Sequence, residues 1–383
     1  MAWQRRLFAG HFALGNIPTK LDIPTGIGKT SVIVIWLLAL AFQATTGVVR
    51  LPRRLVYVVN RRTVVDQATD LTRNLREKLR SASDDDALVH IRAVLRTLCI
   101  DADDAFSPLA ISTLRGELAD NREWQGDPAR PAIIIGTVDM IGSRLLFSGY
   151  GVSQRMRPFH AGLLGQDTLL VHDEAHLEPA FGELVHNISR IQCERNEPRP
   201  LHLLELSATQ RGQADATTFT LSEEEKQEVE VRRRITARKT LLVVEANDRS
   251  AALATIVRQA LDYKENQSRV LIYVRSPREA KDIVGSLIKQ VSPNRAAILT
   301  GTIRGIERDA LVAQPIFKGF MSNPNRQPLE GTEYLVPLHR GFDWLIFGHF
   351  RMGRFSGATS SSMLRATPGW RRIKPARSMV RTI

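Results

Sequence analysis

"LDIPTGIGKT" (Leu21–Thr30) runs from an apolar strand-like pair through a Pro-Thr-Gly turn into Gly-Lys-Thr. The apolar run "SVIVIWLLALAF" (Ser31–Phe42) follows at once. The pattern predicts a strand ending at Ile23, a turn over Pro24–Gly28, and a buried helix over Ser31–Phe42 that Lys29 opens. Glycines in such a turn let backbone N–H groups point inward, and the helix N-terminus adds its dipole, so the loop is suited to a phosphate chain. Thr25, Gly26, Gly28, Lys29 and Thr30 form the candidate cradle. Lys29 would reach the β and γ phosphates, and the Thr30 hydroxyl would ligate Mg²⁺. The strict Walker pattern asks for Gly where Ile23 stands. The shorter form Thr-Gly-x-Gly-Lys-Thr remains.

A phosphate loop needs a metal partner and a base. "LLVHDEAH" (Leu169–His176) supplies both types at the tip of an apolar strand. Asp173 would hold Mg²⁺ through water, and Glu174 would orient and deprotonate an attacking water. Downstream, "ELSATQR" places Ser207 and Thr209 directly after another strand, where small hydroxyl residues can couple the acidic pair to movement of the following domain.

Short β-branched runs recur at Leu55–Val59, Ala132–Ile135, Thr168–Val171 and His202–Leu206, each apolar on both faces. Helical patterns such as Asp66–Leu79 lie between them. Alternation of this kind predicts an α/β fold on a parallel sheet. A second cycle begins at Arg269–Val274, continues in the helical Pro277–Val291 and reaches the strand Ala296–Leu299. Arg211–Thr240 separates the cycles and contains "SEEEKQEVEVRRR", which reads as a solvated hairpin or linker. The expected organisation is a first domain over 1–212, a linker over 213–240, a partial second domain over 241–336 and a basic tail over 337–383.

The chain has 383 residues, 43% of them apolar and 24% charged, which suits a two-domain globular protein. Its longest apolar run falls short of the roughly 18 residues of a membrane span, and "MAWQRRLFAG" makes a poor signal peptide. Two distant cysteines, Cys99 and Cys193, form neither a metal-ligand spacing nor a disulfide framework. A reducing, cytoplasmic setting is expected. The net charge of +13 suits a polyanionic partner. Nine basic residues lie from Pro337 onward against the single acid Asp343, so most of that excess belongs to the tail.

The order Thr-Gly-x-Gly-Lys-Thr, Asp-Glu-Ala-His, Ser-Ala-Thr resembles superfamily 2 helicases. "WQRRL" (Trp3–Leu7) resembles their adenine-reading glutamine segment, with Gln4 as the candidate. "VYVVNRRTVVDQA" (Val56–Ala68), "GTVDMIGSRLLFSGYG" (Gly136–Gly151) and "LTGTIRGIERD" (Leu299–Asp309) are similar to the CRISPR-associated helicase–nuclease of type I systems, U/G subtype. The likeness spans roughly Ala2 to Val336. It implies tandem RecA-like domains that use ATP and Mg²⁺ to move along single-stranded DNA, recruited by an RNA-guided surveillance complex. Binding to phosphates would be tolerant of sequence and sensitive to salt. Arg61, Arg62 and Thr137 in the first domain, with Arg275, Ser276, Thr300 and Gly301 in the second, hold the strand-end positions suited to phosphate contacts.

The chain departs from that family in two ways. Its only His-Asp pair, His172-Asp173, already belongs to the acidic motif, so no nuclease activity is expected. After "TEYLV" (Thr332–Val336) the family's Gln-Arg-x-Gly-Arg helix is replaced by a basic tail in which "FRMGRFSG" (Phe350–Gly357) bears a partial likeness to it. Arg351 and Arg354 are the finger candidates, a role worth on the order of 10³–10⁵ in rate. The tail reads as the product of a changed reading frame, with a nucleic-acid-binding arm and an ordinary subdomain as alternatives. The second domain is therefore expected to be incomplete, with Val270–Val274 and Ile298–Thr300 left as uncovered strands. Other functional readings are a non-enzymatic ATP- and DNA-binding remnant, a DEAH-type RNA helicase and a restriction motor subunit.

Overall fold

The computed structural model describes residues 1–60, 62–83, 87–100, 107–114, 121–207, 217–236, 240–246, 248–299, 314–320, 329, 331–337, 345–351 and 369–375. The chain divides into two compact units, Met1–Ile235 and Thr236–Ile383.

The first unit is built on seven strands: β1 (Lys20–Asp22), β2 (Arg54–Val59), β3 (Ala110–Leu114), β4 (Ala132–Thr137), β5 (Thr168–Asp173), β6 (His202–Ser207) and β7 (Thr218–Thr220). Their order across the sheet is β3-β4-β2-β5-β6-β1-β7, and every neighbouring pair is parallel. The helices are α1 (Ala2–Gly10), α2 (Val32–Thr45), α3 (Arg62–Ser81), α4 (Ala87–Arg96), α5 (Glu123–Gly126), α6 (Val138–Leu145), α7 (Arg157–Gly165), α8 (Pro179–Glu194), α9 (Glu223–Gln227) and α10 (Val229–Ile235).

Two cores lie on the two faces of this sheet. Leu55, Tyr57, Val59, Ile133, Ile135, Leu169 and Val171 join one cluster with α1 and α2. Val56, Val58, Ile134 and Leu170 join the other with residues of α6, α7 and α8. Successive residues of one strand thus enter opposite cores, which is why the strands read as unbroken apolar runs. Helix α2 is apolar around its whole circumference and accordingly buries Val32, Ile33, Ile35, Trp36, Leu37, Ala39, Leu40 and Ala41. Its one buried amide, Gln43, is fully used. Gln43 Nε2 donates to the Phe12 carbonyl at 3.0 Å, and Oε1 accepts from the Arg50 and Leu51 amides at 2.8 and 2.9 Å.

Parallel pairing brings the strand ends to one edge. Asp22 lies level with Ser207, Leu206 with Asp173, and Val59 with Thr137. Strand ends of such sheets, on the carboxyl side, are where α/β folds place their sites.

Three local expectations are corrected. β1 ends at Asp22 rather than Ile23. The helix after the turn starts as a 3₁₀ segment over Lys29–Ser31 and becomes α-helical from Val32 to Thr45. The charged stretch before Thr240 is more than a solvated linker: Thr218–Thr220 is the outermost strand, parallel to β1. Glu225 beyond it is buried against Arg6 at 2.8 Å, and the Arg6 guanidinium lies 4.0 Å over the Phe219 ring. Arg6 holds the Glu225 carboxyl below the usual carboxylate range. Charge there pairs with α1, a contact far away in sequence and so invisible to local patterning.

The second unit contains β8 (Thr240–Ala246), β9 (Ser268–Tyr273), β10 (Ala296–Leu299), β11 (Glu333–Pro337), β12 (Leu345–Arg351) and β13 (Gly369–Pro375), in the order β10-β11-β9-β12-β13-β8. Helices α11 (Arg249–Leu261), α12 (Pro277–Leu287) and α13 (Pro315–Phe320) accompany them. Tandem α/β units on parallel sheets are as expected, except that β12 runs antiparallel to both of its neighbours. The tail beyond Pro337 therefore contributes two strands, and β9 lies inside the sheet between β11 and β12, not uncovered. β10 does stand at the edge, with half-buried side chains.

Candidate functional site

The turn after β1 brings two glycines into the left-handed region, Gly26 and Gly28, each at φ +85°. That conformation is open to Gly at little cost, so the Gly-x-Gly pattern is a backbone requirement. No side chain caps either Gly28 or Ser31 at the start of the helical segment. The Ser31 amide donates to the Gly28 carbonyl at 3.0 Å, and the segment otherwise starts uncapped, the arrangement that binds anions.

Lys29 is the most informative residue of the loop. It is only 7% exposed, and its Nζ is buried with no hydrogen-bond partner. Burial pulls the ammonium below its ordinary value, against the attraction of Glu174, Asp173 and Asp22. A desolvated cation without a hydrogen-bonded partner is costly in a folded protein. An uncapped helix start and a buried ammonium beside it suit an anion by their own chemistry.

The acidic pair arrives from β5. Asp173 is half-buried; burial raises its carboxyl, while the Tyr57 hydrogen bond and the nearby Lys29 hold it down. Tyr57, fully buried on β2, donates its hydroxyl to Asp173 Oδ2 at 2.7 Å. Burial drives the Tyr57 phenol well above its ordinary value, with Asp173 adding to the effect. Glu174 adopts φ +55°, a left-handed conformation that is uncommon for a residue with a side chain. Its Oε2 lies 3.5 Å from His176 Nδ1. His172, one residue before Asp173, faces the core and packs edge-on against Phe181 at a ring separation of 5.0 Å. Burial pushes its imidazole down to about 4.

Gln4 reaches the same loop from α1. Its Nε2 donates to Ser31 Oγ at 2.7 Å, and it is the atom that a Cβ on Gly28 would meet first, at 3.7 Å. Thr25, Gly26, Gly28, Lys29, Thr30, Asp173 and Gln4 thus belong to one region, at the carboxyl edge of β1 and β5. Ser207 lies buried at the end of β6, level with Asp22. Thr209 is outside the described residues.

The candidate nucleic-acid residues divide. Thr137 ends β4 and occupies the N-cap position of α6 without a side-chain cap bond. Arg61 and the Arg62 side chain lie outside the described residues. In the second unit Arg275 is exposed. The Ser276 hydroxyl is committed to α12: it accepts from the Glu279 amide at 3.2 Å, while Glu279 Oε2 accepts from the Arg275 and Ser276 amides. Thr300, Gly301 and Arg354 are outside the described residues. Arg351 ends β12, paired by its backbone with Ser268.

Sequence reading missed Tyr57 and Asp22. The signal for Tyr57 was present, because a lone phenol in the aliphatic run "LVYVV" must find a polar partner when buried. Nothing local marks Asp22 as one of the charges that act on Lys29.

No protein-family model matches the chain, and no curated protein matches it. Solved structures do. Saccharomyces cerevisiae Dbp5 bound to RNA and ADP BeF3 is 16% identical with a TM-score of 0.44, over 84% of this chain and 66% of that one. The DUF1998 helicase MrfA bound to DNA and AMPPNP is 12% identical with a TM-score of 0.49, over 89% and 48%. The Escherichia coli DEAH/RHA helicase HrpB is 12% identical with a TM-score of 0.45, over 88% and 34%. The chain spans less than two thirds of the length of each. No helix among the described residues is long and apolar enough to cross a membrane.

Proposed function

We propose that the chain is a superfamily 2 ATPase of the tandem RecA-like type, driving translocation along single-stranded DNA. The observation that carries this reading is the buried, hydrogen-bond-orphaned Lys29 ammonium facing the Asp173 and Glu174 carboxylates beside an uncapped Gly-x-Gly helix start. The main-chain amides after Gly26 and the Lys29 ammonium would hold the triphosphate, and a buried cation acts on it more strongly than an exposed one. Thr30 and Asp173 are the residues that would hold magnesium, which when bound neutralises charge on the phosphate oxygens. Gln4, at the loop's flank, would read the adenine. Glu174 would take the proton of the attacking water, and its left-handed backbone turns the carboxylate away from the course of β5. Ser207 and Thr209 would report hydrolysis to the second unit. Arg61, Arg62, Thr137, Arg275, Thr300 and Gly301 would touch phosphates of the nucleic acid, while Ser276, whose hydroxyl and amide are both bonded to Glu279, would give up those bonds to do so.

The segments around Val56–Ala68, Gly136–Gly151 and Leu299–Asp309 support a role in CRISPR antiviral defence, in the cytoplasm, with an RNA-guided surveillance complex as partner. The test is ATP turnover by the purified chain with no nucleic acid, single-stranded DNA, RNA or duplex DNA. Stimulation by single-stranded DNA, lost in Lys29→Ala and Glu174→Gln, is expected. Stimulation by RNA would favour a DEAH-type RNA helicase, and stimulation by duplex alone a restriction motor. Binding of ATP without stimulated turnover would make the chain a non-enzymatic remnant.

A further inference from the structure

Tyr57 belongs to none of the motifs that define the nucleotide site, yet its hydroxyl is bonded to a residue of one of them. It occupies β2, level with Ile135 on β4 and with Val171 on β5, two residues before Asp173. The ring packs in the core with Leu55 and Val59, while the hydroxyl reaches Asp173 Oδ2 at 2.7 Å. The direction of this bond follows from chemistry: an ionised carboxylate only accepts, so the phenolic proton goes to Asp173. The bond ties one oxygen of the Asp173 carboxylate to β2 and so restricts how the group can turn.

The geometry points to Tyr57 as a positioning residue that pre-aligns Asp173 for the magnesium of a bound nucleotide. This rests on the nucleotide-site reading above. A phenol that merely needed a partner could take a backbone carbonyl; here its partner is the carboxylate that would hold the ion. Positioning of this kind lowers the ordering cost of metal binding and leaves the phosphate cradle alone.

Calorimetric titration of the full chain with ADP, with magnesium and with chelator, tests the inference. The wild type is expected to bind ADP under both conditions and more tightly with magnesium. Tyr57→Phe should leave the metal-free affinity unchanged and reduce the magnesium-dependent gain by about tenfold, the scale of a hydrogen bond to a charged group. In an Asp173→Asn background the same change should have no further effect on the gain, because the residue through which Tyr57 acts is already altered. The Phe variant keeps the ring in the core, and a melting transition within a few degrees of wild type verifies the fold. A full magnesium gain in Tyr57→Phe, or equal weakening with and without metal, would overturn the positioning role. A wild type that takes up no ADP in either condition would instead overturn the nucleotide site itself.

Discussion

Replacing Lys29 by Met should make the ligand-free protein more stable while making it blind to nucleotide. The ammonium is buried without a hydrogen-bond partner on a side chain that is 7% exposed. Leaving a buried donor unpaired costs roughly 1–3 kcal/mol, and more when it is charged. Attraction from Glu174, Asp173 and Asp22 returns part of that cost. Met preserves the length of the stem and removes the charge, so a net gain of about 1–2 kcal/mol is expected. For a folding unit of this size that raises the melting temperature by about 2–8 °C. The pH dependence has a definite sign. Folding lowers the Lys29 value, so between its folded and unfolded values the unfolded chain carries the extra proton and stability rises with pH. The cost is complete below the folded value and gone above the unfolded one. Wild type should therefore gain stability in the alkaline range, and Lys29→Met should lack that gain. With ADP at a hundred times its dissociation constant the order reverses, since ligand adds about 2.7 kcal/mol to wild type alone. Differential scanning calorimetry at neutral and alkaline pH, with and without ADP, reads all three effects. A variant that melts at or below wild type without ligand, with the same alkaline slope, would refute the idea that Lys29 is held desolvated for an anion.

His172→Leu should flatten the acid limb of the first unit's stability. The folded imidazole lies at about 4 against an ordinary 6.5, so the unfolded chain binds the proton first and stability is lost as pH falls through that window. The difference is worth roughly 3 kcal/mol at most, and urea titrations at pH values on either side of the window will show it. Ser276→Ala should cost the second unit about 1 kcal/mol through its lost cap. Its ADP affinity should match wild type, whereas a large loss of DNA binding without a stability change would restore the serine to the nucleic-acid contacts.

How much of this was legible beforehand depended on range. The strands of the first sheet could be read because each is buried on both faces, so that Val56 and Tyr57 look alike as apolar neighbours though they enter different cores. The phosphate loop was legible because its backbone demands glycine at Gly26 and Gly28. β3 and β7 were not read as strands: β3 carries Ser112 and Thr113 in an otherwise apolar run, and β7 is three residues long and gains its place only by lying beside β1. Tyr57, Asp22 and the pairing of Arg6 with Glu225 were hidden for the same reason. Each acquires its meaning from a partner that only the three-dimensional arrangement supplies. The strands beyond Pro337 went unread because their sequence shows no period, and the sheet alone gives them a register.

The place of β1 in its sheet has a consequence for synthesis. Lys20–Asp22 is made early in the unit, yet both of its neighbours, β6 and β7, are the last strands of it to be made. Arg6 must likewise wait for Glu225, 219 residues later. At about 5–20 residues per second the ribosome needs on the order of 10–40 s to deliver those partners. Throughout that interval the apolar "SVIVIWLLALAF" segment hangs from a nascent chain that cannot yet close around it. Its safe delivery therefore depends on what shields it during translation as much as on the stability of the finished fold.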